Sequence, residues 1–286
     1  MSGQRAAAEP YTTRFETAVS AVDGRSVWLE TTFFYAESDG HPADRGTIGS
    51  VELEDVQLVD GEHVHVLTEE PSFRAGHRVM CSIDWAYRMY CMRAHTATHV
   101  LYGGARRVLE DPTSVGFEIG AETVRVTLET DTQVDDEALI EIDRLVNQAI
   151  WESRPVSWET IPIAEARERD EISIDKKTDS NAIGEGRVRI VTIGAEDDND
   201  AIGSDDPWDV GACSGTHVRN TREIGPMTVL GRSTSASGQT CIEFTVGERA
   251  IQRRECEKRA TFAASKQLGV PVEEIPTALG ERFDDS

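Results

Sequence analysis

Arg93-Ala94-His95-Thr96-Ala97-Thr98-His99-Val100-Leu101 and Gly211-Ala212-Cys213-Ser214-Gly215-Thr216-His217-Val218 are the stretches that decide how this chain is read. Each holds two good transition-metal ligands at positions i and i+4. On a helix that spacing puts both side chains on one face, so each pair can grip one ion. Together they make a set of three imidazoles and one thiolate, His95, His99, Cys213 and His217, which suits zinc better than magnesium or calcium. Either pair alone is weak. The first lacks the Glu beside its leading His that gives a metalloprotease helix its general base, and alone it reads as two ordinary helix histidines. The conjunction of two spaced pairs on one chain carries the inference.

Working outward from His95, residues 86–109 lack proline and have apolar residues at helical spacing. Gly103 and Gly104 weaken this helix, and close packing is the expected reason they are tolerated. Upstream, from about residue 10 to 85, the pattern is β-like. Strands are expected at residues 26–31, 49–53, 56–59 and 63–67, the last two joined by Asp60-Gly61, a hairpin signal. Several short strands in succession suggest a small barrel. The alternating His63 and His65 are expected on the solvent face of their strand.

Downstream, strands are expected at residues 115–119, 123–128, 156–163, 187–193, 227–230 and 240–246. Residues 135–152 read as an amphipathic helix entered through Asp135-Asp136, whose charge favours its positive end. Asp209-Val210-Gly211-Ala212 reads as a turn or strand end, which leaves helical geometry at Cys213 open. Residues 194–207 hold six acids and read as a solvated insertion, with a calcium loop as the sharper alternative. Residues 247–268 are helical again, stopped by Gly269-Val270-Pro271, and the tail from Glu281 to Ser286 is expected to fray. The fold class is α+β: a small N-terminal β-barrel, an α+β unit and a C-terminal helix.

The composition is extreme in one respect. There are 52 acidic and 29 basic residues, a net charge of −23, and only four of the basic residues are lysines. The acids are spread along the chain instead of forming one tail, which reads as adaptation to a salt-loaded cytoplasm where the screening length falls to roughly 3 Å. Such a charge argues against a nucleic-acid binder at first sight, without excluding one, and no DNA partner is expected. A nucleic-acid partner in concentrated salt has to be held by shape, stacking and hydrogen bonds, because counterion release loses its drive. Arg106, Arg107, Arg253 and Arg254 are candidate contacts, with a solvated helix face as the plainer role. No stretch approaches the roughly 20 apolar residues of a membrane span. Five cysteines at irregular spacing fit reduced thiols. Cys81 and Cys91 stand four residues from His77 and His95, but burial is the commoner fate of a small apolar thiol. Cys241 and Cys256 read as packing or surface residues.

The first metal stretch resembles the first zinc motif of the alanyl-tRNA synthetase editing domain. The second, continued by Thr221 and Glu223-Ile224-Gly225, resembles its second motif. Thr32-Phe33-Phe34-Tyr35-Ala36-Glu37-Ser38-Asp39-Gly40-His41-Pro42-Ala43-Asp44-Arg45-Gly46 resembles the glycine-rich segment of the same family. The likeness spans roughly residues 25–250, with the strands at 187–191 and 241–244 in the expected places. Nothing resembles the aminoacylation domain. The resemblance therefore implies a freestanding alanyl-tRNA editing protein of the AlaX type, of the medium-length kind. Its expected parts are residues 1–88 as barrel with glycine-rich segment, 89–246 as zinc-dependent editing domain, and 247–286 as C-terminal helix and tail.

The reaction this implies is hydrolysis of the ester that joins a wrong amino acid, serine foremost and glycine second, to tRNA(Ala). A synthetase pocket built for a methyl group rejects an added hydroxyl poorly, so a second site restores fidelity. The cofactor implied is Zn2+. By resemblance, Thr32 places a hydroxyl near the aminoacyl group, and Asp44 and Gly46 belong to the substrate segment; the plainer readings are a strand threonine and an Asp-capped turn. The family's Gly-Gly-Gln is Asp39-Gly40-His41 here, so His41 either supplies a similar hydrogen bond in the pocket or is a surface turn residue. Four protein ligands fit a closed structural site, whereas catalytic zinc commonly keeps a position open. The alternative function is a zinc-containing tRNA-end binding module without hydrolysis, or a synthetase-derived fragment.

Overall fold

A computed structural model describes residues 3–38, 40–169, 172, 182–184, 186–194 and 207–284. The N-terminal part contains β1 (Gly3–Gln4), β2 (Arg14–Asp23), β3 (Ser26–Leu29), β4 (Thr31–Thr32), β5 (Gly46–Ile48), β6 (Val51–Val59), β7 (Glu62–Leu67) and β8 (Arg78–Ile83). Six of these close a barrel in the order β2-β3-β7-β6-β5-β8. Alternate residues point inward, among them Phe15 and Val19 of β2, Val27 and Leu29 of β3, and Val51, Leu53 and Val56 of β6. The Asp60-Gly61 turn has φ of 51° and 81°, the signature of the two-residue hairpin that the dipeptide favours.

Two details of the barrel differ from expectation. Residues 49–53 and 56–59 are not two strands. They are the single β6, whose register shifts between Leu53 and Asp55, so a bulge splits its hydrophobic alternation. His63 and His65 are not on the solvent face either. Both share the inward face of β7 with Leu67, and His65 is wholly buried. An alternation of His and Val does not say which set is inside, and burial is tolerated because both nitrogens of His65 find partners.

The helix α1 (Trp85–Val108) follows the barrel directly, capped by Asp84, whose carboxylate accepts from the Tyr87 amide at 3.1 Å. After it come β9 (Thr113–Ile119), β10 (Val124–Glu129), α2 (Asp136–Trp151), β11 (Val156–Pro162), α3 (Ile163–Ala166), β12 (Ile183–Gly184), β13 (Arg187–Ile193) and β14 (Asp209–Ala212). The chain continues through β15 (Met227–Thr234), β16 (Thr240–Val246), α4 (Glu248–Leu268) and α5 (Ile275–Asp284). One antiparallel sheet runs β15-β16-β10-β9; a second is built on β13, which pairs with β11, β12 and β14. Helices α1 and α2 pack together in the main core with the first sheet. The six acids of residues 194–207 lie outside the described residues. The expected frayed tail is helical as far as Asp284, in α5. Among the described residues no helix is long and apolar enough to cross a membrane.

The interior of α1 shows why it carries a glycine pair. A Cβ on Gly103 would lie 2.5 Å from the Trp208 ring, whose Nε1 donates to Val100 O at 2.9 Å. The close-packing expectation is met there, and this contact sets the start of β14 against the helix. Gly103→Ala forces Trp208 outward, and is expected to lower stability by about 1–3 kcal/mol. Urea unfolding in molar KCl measures it, and an unchanged midpoint shows the indole has room to move.

Candidate metal centre

His95 and His99 lie one turn apart on α1, on the face turned toward β14 and the irregular segment after it. Cys213 and His217 come from that segment, residues 213–219, which is not helical. The i, i+4 geometry therefore holds for the first pair and not for the second. The loop is bent instead so that Cys213 Sγ lies 3.3 Å from His217 Nε2 and 3.4 Å from His95 Nε2. One ligand atom from each of the four residues falls within 4.8 Å of all the others. A tetrahedral zinc shell, with bonds of roughly 2.0–2.3 Å, has its ligands about 3.3–3.8 Å apart. Cys91, though buried, is not part of the cluster.

Hydrogen bonds behind the rings settle which nitrogen faces the centre. His99 Nδ1 donates to Asp209 Oδ2 at 2.7 Å. Thr96 Oγ1 gives its own proton to Met92 O, so it accepts from His217 Nδ1 at 3.2 Å. In both rings Nδ1 carries hydrogen and Nε2 is turned to the centre, the orientation a metal-binding imidazole requires. His95 Nδ1 is buried without a hydrogen-bond partner among the described residues. Burial, reinforced by the neighbouring imidazoles, drives the His95 and His217 rings well below the usual histidine range, so both are neutral. Burial also pushes the His99 ring down. The Asp209 hydrogen bond and the Cys213 sulfur outweigh it and raise that ring to about 10. The donor set and its backing fit a soft divalent ion with mixed N and S ligands, and residues 95, 99, 213 and 217 are the ones that would hold it.

The barrel segment closes the centre from the other side. His41 is 1 % exposed, so it is no surface turn residue. Its ring lies against Tyr35, at 4.2 Å between centroids, and edge-on to His95 at 5.1 Å. Its Nε2 is 3.0 Å from Thr216 Oγ1 in the metal loop. Burial pushes the His41 ring down to about 4. Thr32 is wholly buried and bonded to His65 Nε2 at 2.8 Å, while Phe34 N donates to its hydroxyl. The chain before the barrel connects Thr32 to the metal loop: Arg5 N donates to Thr32 O, and Arg189 donates to both Ala7 O (2.9 Å) and Cys213 O (2.6 Å).

Asp44 and Gly46 hold this segment in place. Asp44 receives Tyr35 N at 2.6 Å and forms a buried pair with Arg88. A Cβ on Gly46 would lie 2.1 Å from Ser82 O. The four arginines singled out in the sequence are exposed on their helices, as the plainer reading has it, and each has a partner within the chain. Arg106 pairs with Asp209, Arg107 stacks on Trp208, Arg253 pairs with Glu257, and Arg254 bonds Thr228 and Asn147.

Sequence reasoning missed Asp209, Thr96 and Thr216. The two threonines sit inside the motifs, and their types gave no sign of a role. Asp209 is one acid among 52 acidic residues, with nothing in its neighbours to set it apart.

Residues 188–243 match the family model described as the threonyl and alanyl tRNA synthetase second additional domain. The chain is 34 % identical over 281 residues to the alanine–tRNA ligase of Pyrococcus abyssi, covering 96 % of this chain and 29 % of that enzyme. It is 32 % identical over 282 residues to that of Methanothrix thermoacetophila, with the same coverage. It is 33 % identical over 257 residues to that of Aeropyrum pernix, covering 88 % of this chain and 27 % of that enzyme. The chain is a relative of the alanyl-tRNA synthetases. The family expected from the two metal motifs is the family that the comparisons find, over nearly the whole chain. The chain spans under a third of the length of these synthetases.

Asp209→Asn keeps the shape but weakens the hold on His99. It is expected to lower zinc affinity by about 10–100-fold, measured by chelator competition. Unchanged affinity would remove Asp209 from the support of the site.

Proposed function

We propose that this chain is a zinc-dependent aminoacyl-tRNA deacylase that removes serine, and secondarily glycine, from tRNA(Ala), acting as an AlaX-like editing protein in the cytoplasm. The observation that carries the reading is the convergence of three imidazoles and a thiol from segments more than a hundred residues apart, in a chain related to alanine–tRNA ligases.

Bound there, zinc supplies a Lewis acid for the ester carbonyl or for an attacking water. The protein does the rest. Asp209 and Thr96 fix two of the ligand rings by taking their Nδ1 protons. Thr32 and His41 shape the aminoacyl pocket, and Asp44 and Gly46 act on the substrate through the segment they hold. Discrimination between a methyl and a hydroxymethyl side chain follows from where buried hydroxyls are left to pair. Recognition of the RNA in concentrated salt rests on shape and stacking more than on charge.

Cys213→Ala and His99→Ala are each expected to bring release of serine from Ser-tRNA(Ala) to background and to lower bound zinc. The assay is run in molar KCl on the purified chain, with zinc measured on the same sample; wild-type rates in either variant end the catalytic assignment. Thr32→Val keeps the side chain's shape without its hydroxyl and is expected to narrow the rate ratio between seryl and alanyl esters. An unaltered ratio takes Thr32 out of the pocket. The closed four-donor shell favours a second reading, a module that binds the tRNA end without hydrolysis. Tight tRNA binding with no serine released by the zinc-loaded wild type selects it.

A further inference from the structure

We propose that His41 is a positioning residue that works through Thr216: its Nε2 accepts the Thr216 hydroxyl proton and so pins the loop bearing Cys213 and His217 against the barrel. The kinetic arm of the test rests on the deacylase reading; the other arms do not.

The polarity of this contact follows from its partners. His41 Nδ1 is 3.0 Å from the carbonyl oxygen of Pro42. A carbonyl only accepts, so Nδ1 carries the hydrogen. None of the ring's hydrogen-bond partners is a carboxylate, and Asp44, three residues on, is engaged by Arg88 and by Tyr35 N. The buried ring is therefore neutral, with a lone pair on Nε2, and at 3.0 Å the Thr216 hydroxyl is the donor. The histidine has one tautomer and one role here, that of acceptor.

The surroundings leave the ring little choice of place. Gly40 has φ of 85°, and a Cβ on it would lie 1.8 Å from Phe117 O. Its own carbonyl accepts from Ile119 N at 2.9 Å. The turn that presents His41 is thus seated on β9, and Phe117 in turn packs on His95 at 4.6 Å between ring centroids. On the other side, a Cβ on Gly215 would lie 2.1 Å from His95 Cε1 and 3.3 Å from His41 Cδ2. At Gly215 the metal loop lies against both imidazoles with no room for a side chain. Tyr35 makes a parallel contact, its hydroxyl 3.4 Å from Ser214 Oγ. The loop carries half the donor set without the internal bonds of a helix; Arg189 of β13 holds it at Cys213 and Thr96 of α1 at Val218, and between these Thr216 has the His41 contact.

A side chain in this position needs only to accept one hydrogen bond. Glutamine offers an amide oxygen for that purpose, whereas alanine offers nothing, and Thr216→Val removes the same bond from the opposite end while keeping its shape. The test is a double-mutant cycle on the full chain. His41→Ala and Thr216→Val are each expected to speed zinc loss to a chelator by about tenfold, and to lower kcat on Ser-tRNA(Ala) with KM unchanged. The double variant is expected to be no worse than either single one, and His41→Gln to keep zinc loss close to the wild-type rate. Nitrogen-15 NMR of the zinc-loaded protein is expected to show His41 as the Nδ1–H tautomer. Effects that multiply in the double variant, a silent Thr216→Val, or an Nε2–H tautomer would each overturn the proposal. If His41→Ala does not fold, Thr216→Val, His41→Gln and the NMR signature still decide it. If the wild type releases no amino acid, the editing reading falls, and zinc release and the tautomer continue to test the clamp.

Discussion

Arg88 is the joint on which the arrangement of the centre depends. Its guanidinium lies wholly buried in the first turn of α1 and donates to Asp44 Oδ1 at 2.8 Å, to Pro10 O at 2.8 Å and to Phe33 O at 2.7 Å. The same helix carries His95 and His99. One side chain therefore fixes the chain before the barrel, the segment after β4 and the metal-bearing helix relative to each other. Ion pairs of this kind carry a large desolvation cost, and removing one partner leaves a buried charge without compensation. What such a pair supplies is register: it decides which part of the barrel faces the His/Cys cluster.

Around that joint the protein repeats one local device. His41 and His65 each give an Nδ1 proton to a main-chain carbonyl and turn Nε2 to a threonine hydroxyl, Thr216 in one case and Thr32 in the other. Neutral imidazoles with one fixed tautomer are rigid acceptors, and they orient hydroxyls without introducing charge. In His99 and His217 Nδ1 again donates, to Asp209 and Thr96, and Nε2 is turned to the centre instead.

Much of this was legible in the sequence, and the exceptions have physical causes. The helix through His95 and His99, the Asp60-Gly61 hairpin and the strand at 187–193 follow from periodicity and turn chemistry. The four ligands were legible because Cys and His at matched spacing are rare together. The faces of β7 were not, since His63, Val64, His65 and Val66 alternate two side-chain types that both tolerate burial. The bulge in β6 hid one strand as two. Asp209 and Thr96 act through partners distant in the chain, and no local pattern marks such a residue. Arg106 and Arg107 read as candidate contacts or a solvated helix face; both are exposed, and their pairing with Asp209 and stacking on Trp208 join residues a hundred positions apart, which no local pattern marks.

The two halves of the donor set differ in backbone. His95 and His99 ride on a capped helix wedged against Trp208, while Cys213 and His217 ride on irregular chain. The compliance of the centre is therefore one-sided. The helix is tied by its own main-chain ladder and the loop by bonds to its neighbours, so any adjustment between the two halves falls to the five residues of loop.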